Sequence, residues 1–89
     1  MRYHLQIYVG KYEFVHKGFC AGGQRIPNTG QATTLDCRNE CADRPDIGFF
    51  SYNGRTCVCY TTDSGCPDDH ADNDYNAYRI LKWGDYKGT

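Results

Sequence analysis

The sequence has no long hydrophobic run, no excess charge of either sign, and very little methionine, tryptophan or proline. No apolar stretch approaches the roughly 20 residues that cross a bilayer as a helix, so membrane insertion is not expected. Ten Lys and Arg against eleven Asp and Glu leave a net charge of −1. Nucleic-acid binding runs on surplus basic residues, so it is not expected either. The opening Met1-Arg2-Tyr3-His4 lacks the apolar region of a signal peptide, and a secreted form is expected to have already lost its leader. There is no Gly-x-Ser-x-Gly, no His-Glu-x-x-His and no glycine-rich phosphate loop. His4, His16 and His70 lie in separate segments, with nothing to place a nucleophile beside them. The expectation is a protein that is not an enzyme and needs no cofactor. No Asn-x-Ser/Thr acceptor occurs, so N-glycosylation is not expected.

Against these absences stand six cysteines in 89 residues. A chain this short buries only roughly 60% of its unfolded surface, and its core needs reinforcement. An even cysteine count in a small chain favours a disulfide framework and an oxidising compartment, hence a secreted, extracellular or cell-surface location. Eight Tyr, four Phe and one Trp make up 15% of the chain. Tyrosine pairs an apolar face with a polar tip, which suits wet interfaces and sugar contacts as well as the core of a β-rich domain.

Along the chain, residues 2–9 alternate, with Tyr3, Leu5, Ile7 and Val9 on one face and His4 and Gln6 on the other. Period two predicts a strand. Gly10 punctuates it, and Tyr12 to Val15 resume as a second extended piece. Residues 18–31 read as a loop with one short strand around Arg25-Ile26. Thr33 predicts a helix N-cap, with Asp36 three residues on, and the helix carries Leu35, Cys37 and Cys41 and ends near Asp43 before Pro45. Ile47–Tyr52 and Thr56–Thr61, separated by Asn53-Gly54, predict a hairpin with a type I′ turn. Residues 63–76 form a loop with five Asp and no Lys or Arg, and residues 75–83 a closing strand. Residues 84–89 are a polar tail. The expected fold class is α+β, a single small disulfide-stabilised domain with one helix packed on a mainly antiparallel sheet.

Cysteine spacing gives this plan a fastening. Cys37 and Cys41 share a face of a helix, and Cys57 and Cys59 share a face of a strand. Two rows of two thiols let the helix be fixed flat on the hairpin by two bridges. Cys20 and Cys66, one in each flanking loop, remain as the third pair. Six cysteines allow 15 pairings, and spacing does not order the four thiols between helix and hairpin. The rival, zinc, is disfavoured because Cys-x3-Cys with Cys-x-Cys matches no common zinc signature.

The segment from Thr33 to Tyr60 resembles the core of the apple/PAN module. The likeness lies in a helix bearing Cys37 and Cys41, the strand Gly48-Phe49-Phe50-Ser51-Tyr52, a short turn, and a return strand opening with Cys57; Asn76 to Ile80 is similar to the closing strand. The resemblance covers about half the chain. It implies an apple/PAN-like core over 17–83, preceded by an N-terminal strand segment at 1–16. It implies that Cys37 pairs with Cys57, leaving Cys41 for Cys59. It also implies a non-catalytic recognition or adhesion module that binds an extracellular protein or a carbohydrate.

Candidate contact residues are Tyr52 and Tyr60 flanking the hairpin turn, Arg55 in that turn, and Tyr78 with Arg79 on the closing strand, since Tyr and Arg are enriched at interface hot spots. Asp72, Asp74 and Asn76 alternate as oxygen donors do at the start of a calcium loop, although Ala77 and Trp83 stand where such a loop needs Gly and Glu. The plainer expectation is a solvated loop whose Asp and Asn cap turns. The N-terminal strand, through Tyr3, Leu5, Ile7 and Val9, is a candidate assembly strand that adds to a neighbour's sheet edge, which would make the chain a structural subunit of a homo-oligomer or filament. A small secreted inhibitor or toxin would need a protruding loop, and residues 22–31 are the one candidate.

Overall fold

The computed structural model describes residues 7–21, 25–71 and 73–83. Five strands form one sheet: β1 (Ile7–Lys17), β2 (Arg25–Thr29), β3 (Ile47–Tyr52), β4 (Thr56–Thr61) and β5 (Asn76–Trp83). Among the described residues a single α-helix, α1 (Thr34–Ala42), lies between β2 and β3, and one short 3-10 turn (Thr62–Ser64) follows β4. The strand order is β1-β5-β3-β4-β2, with every neighbouring pair antiparallel. The chain is therefore an α+β domain with its helix on an antiparallel sheet.

Local chemistry sets the elements. Thr33 is extended and its hydroxyl accepts the Asp36 amide at 3.0 Å, satisfying one orphan N–H of the first helical turn. The β3–β4 hairpin spans the expected residues, but its turn is not type I′. Among the described residues with positive φ the turn contributes Gly54 (φ 101°) and not Asn53. Asn53 instead uses its side-chain oxygen to accept the amides of Arg55 at 3.0 Å and Thr56 at 2.7 Å. An Asx turn has replaced the mirror-image turn, because the asparagine oxygen supplies what a second left-handed residue would otherwise have to.

Three further expectations are revised. Gly10 does not end a strand; β1 runs through it, with register shifts against β5 between Ile7 and Lys11 and between Phe14 and His16. Glycine inside a strand marks a bulge as readily as a break. β2 is longer than the Arg25-Ile26 fragment and pairs from Arg25↔Tyr60 to Thr29↔Thr56; Pro27 is tolerated because β2 is an edge strand. The division at 16/17 falls inside β1, which belongs to the same sheet as the rest. Tyr3 and Leu5, the tail at 84–89, and Gly22 to Gln24 of the loop expected to protrude lie outside the described residues.

Three disulfides join Cys20 to Cys66, Cys37 to Cys57 and Cys41 to Cys59. They divide the core between the two faces of the sheet. On one face Cys37 and Cys41 of α1 meet Phe50, Tyr52, Cys57, Cys59 and Ile80. On the other, Val58, Tyr60 and Ala77 are covered by Cys20 and Cys66 from the flanking loops, with Phe19, Phe49 and Tyr75 at the margin. Alternation along β3 and β4 assigns the residues: Phe50 faces the helix and Phe49 the loops. The helix brings little else that is apolar, since Leu35 is exposed. Its buried polar residue, Arg38, donates from Nε to the Lys11 carbonyl at 2.9 Å and from Nη2 to the Leu81 carbonyl at 2.7 Å. That guanidinium ties α1 to both β1 and β5.

Candidate functional site

Two of the expected contact tyrosines belong to the core. Tyr60 is fully buried, and Tyr52 is 5% exposed with its hydroxyl donating to the Gln31 carbonyl at 2.6 Å. Both sit on inner strands covered on both faces, so neither ring reaches a ligand. Arg55 is exposed in the turn, but the tyrosines expected beside it are inside. Tyr78 and Arg79 are consecutive on β5 and point to opposite faces, so they do not form one site.

Each of them instead belongs to a separate surface. Tyr78 is half-buried on the helix face, stacked on Phe50 with ring centroids 5.0 Å apart. The rings of Tyr12 and Phe14, two apart on β1, meet it edge-on at 5.3 and 6.0 Å. Tyr12 also meets Phe50 edge-on at 5.8 Å. The result is an aromatic step whose floor is core and whose outer ring, Phe14, is 61% exposed. Tyr12 and Phe14 are not among the expected contact residues, although two aromatics at i and i+2 in an extended run already place them on one face.

On the other face Arg79 donates from Nε to Glu13 Oε1 at 2.7 Å, and its Nη2 lies 2.6 Å from the same oxygen. Beside it an open groove of about 270 Å³ runs between β3 and β5, lined by Pro45, Phe49, Thr62 and Arg79. It exists because β3 is irregular between Ile47 and Phe49. At Gly48 the chain passes so close to the 3-10 turn that an added Cβ would stand 2.7 Å from Thr62 Oγ1 and 3.0 Å from Thr62 Cα.

The acidic loop is built from local turns. Asp68 Oδ1 accepts the His70 amide at 2.8 Å, Asp69 Oδ1 the Ala71 amide at 3.0 Å, and Asn73 Oδ1 the Tyr75 amide at 2.9 Å. Of the calcium candidates, Asp72 lies outside the described residues, Asp74 is exposed, and Asn76 sits in β5 opposite Lys17 and Tyr52. Among the described residues the sole cluster of three metal-ligating His, Cys, Asp or Glu groups is Cys37, Cys41 and Cys57, all held in disulfides. Of the assembly residues, Ile7 and Val9 lie in β1, where Ile7 pairs with Trp83 of the same chain, and β1 is an edge of the sheet.

His16 has the most specific polar surroundings. Its Nδ1 lies 2.8 Å from the Lys17 carbonyl oxygen and its Nε2 3.0 Å from that of Cys66. Burial opposes its charge, but those two carbonyls, with Asp68 and Asp69, outweigh it and hold the imidazole above its ordinary pKa. His4 lies outside the described residues. No helix among the described residues is long and apolar enough to cross a membrane. Comparison with known proteins finds no matching family model, no matching curated protein and no matching solved structure.

Proposed function

We propose that this chain is a non-catalytic, extracellular recognition module that binds a protein or carbohydrate ligand on the aromatic step formed by Tyr12, Phe14 and Tyr78. The observation that carries this reading is Phe14, a phenyl ring 61% exposed yet held edge-on against Tyr78, which is itself stacked on the core. A ring fixed in this way contacts a ligand at little cost in side-chain freedom, as aromatic anchors do at hot spots. Six cysteines, all in disulfides, fit an oxidising compartment. The test compares wild type with Phe14→Ala on an immobilised glycan array and against a panel of secreted proteins. Retention of a ligand by wild type, weakened about tenfold or more in Phe14→Ala, is the expected result for a hot-spot aromatic. Undiminished retention by the variant would refute the step as the site.

A second reading, self-assembly into a fibre or coat, is favoured by one feature: β1 is an eleven-residue edge strand that exposes Phe14 and Val15. Edge strands of that length template pairing with another chain. A concentration-dependent multimer in light scattering, abolished by a proline in β1, would support it.

A further inference from the structure

We infer that His16 is a proton-operated latch: as an imidazolium it ties the loop between β4 and β5 to β1, and on losing its proton it loosens that loop. A neutral imidazole has one N–H and one lone pair. With carbonyl oxygens 2.8 Å from Nδ1 and 3.0 Å from Nε2, either neutral tautomer turns a lone pair on an acceptor. The imidazolium alone donates to both. The ring is only 13% exposed, so water is poorly placed to take over the lost bond.

The residue it grips needs support. Cys66 has φ +48°, a left-handed conformation that a non-glycine residue keeps only when its surroundings impose it. Apart from its packing on Val58, Tyr60 and Ala77, it is held by the Cys66 amide donating to Ser64 Oγ at 3.2 Å, by the Ala21 amide donating to the Pro67 carbonyl at 2.8 Å, by the bridge pairing of Cys20 with Asp68, and by its disulfide to Cys20. His16 adds a polar link from the Cys66 carbonyl to β1.

Charged and titratable groups come from each neighbouring element. The loop presents Asp68, whose Oδ1 is 3.8 Å from Nδ1, and Asp69; His70 lies 3.8 Å from the other Asp68 oxygen and competes for that carboxylate. From β5 the residue opposite is Ala77, which carries no charge. Within β1, Lys17 contributes its carbonyl, and the Glu13 carboxylate is engaged by Arg79. Cys20, from the loop after β1, is in its disulfide. A pKa raised on folding means that the latch contributes fully below the ordinary histidine value of about 6.5 and is lost as pH rises through the folded value.

Imidazole NMR on the intact protein tests this. His16 is expected to show protons on both ring nitrogens and to titrate above the ordinary histidine value of about 6.5. In parallel, the hydrogen-exchange protection factor of the Ala21 amide should fall as pH passes through the His16 midpoint, by about tenfold per unit that the midpoint exceeds the ordinary value. In His16→Gln the protection factor should become independent of pH over that range. A His16 midpoint at or below that ordinary value would overturn the proposal, even if the variant failed to fold. PH-dependent protection that persists in His16→Gln would overturn it as well.

Discussion

A tyrosine on a strand is amphipathic, so residue type alone does not say whether its ring is floor or contact. Tyr52, Tyr60 and Tyr78 look alike in sequence, and burial separates them: the first two are buried and Tyr78 is half-buried. What decides is how many strands lie on either side and what covers each face, and both are tertiary facts. Sequence periodicity does place Tyr78 and Arg79 on opposite faces, and it aligns Tyr12 with Phe14. It does not reveal that the aromatic step is left partly open, or that His16 lies against the carbonyl of a residue 50 positions away. Tyr52 gives a test at this scale. Tyr52→Phe keeps the ring among Phe50, Cys57 and Cys59 and removes the hydroxyl that donates to Gln31. One neutral hydrogen bond contributes about 0.5–1.5 kcal/mol. The denaturant midpoint should fall by that equivalent with an unchanged m-value. An unaltered midpoint would show that water replaces the bond freely.

At the scale of elements the sequence is more legible. The hairpin strands announce themselves because β-branched and aromatic runs flank Asn53-Gly54, and the helix because Thr33 caps it and Pro45 follows. The turn type was not legible, since Asn-Gly suits both a left-handed pair and an Asx turn. The passage of β1 through Gly10 was not legible either, because glycine spells bulge and break with the same letter. Least legible was the docking of α1, which lacks an apolar stripe and is held by two cystines and Arg38. Arg38→Met keeps the buried stem but removes the donors to the Lys11 and Leu81 carbonyls. Hydrogen bonds from a charged group contribute about 1.5–3 kcal/mol, partly offset here because the buried cation no longer has to be desolvated. A loss of at least about 1 kcal/mol in urea unfolding is expected. Exchange should speed up at the amides where β1 meets β5, while the β3–β4 hairpin keeps its protection. Uniform loss across the sheet would argue against a local tie.

For the whole molecule, the two-sided sheet explains why three bridges are used and where each acts. Two hold the helix to one face, and the third closes the loops over the other. All six half-cystines are 0–3% exposed, so burial ranks the bridges about equally. Loop length then decides. The Cys20–Cys66 bridge spans 46 residues, against 20 and 18 for the others. In the chain-entropy model that difference amounts to about 0.7–0.8 kcal/mol, on a base cost of roughly 2–5 kcal/mol for losing a native disulfide. Cys20→Ala with Cys66→Ala is therefore expected to be the most destabilising of the three paired replacements, measured by denaturant midpoint. Its structural effect should be confined to one face. Chemical shifts of Val58, Tyr60 and Ala77 should move and the His16 midpoint should fall toward its ordinary value, because Cys66 no longer holds its carbonyl against the ring. On the helix face Tyr78 rests on Phe50 and Phe14 on Tyr78, and their signals should stay in place, along with any ligand binding there. If the aromatic step collapses together with the loops, the two faces share one cooperative core and the loop bridge cannot be treated as independent of the binding surface.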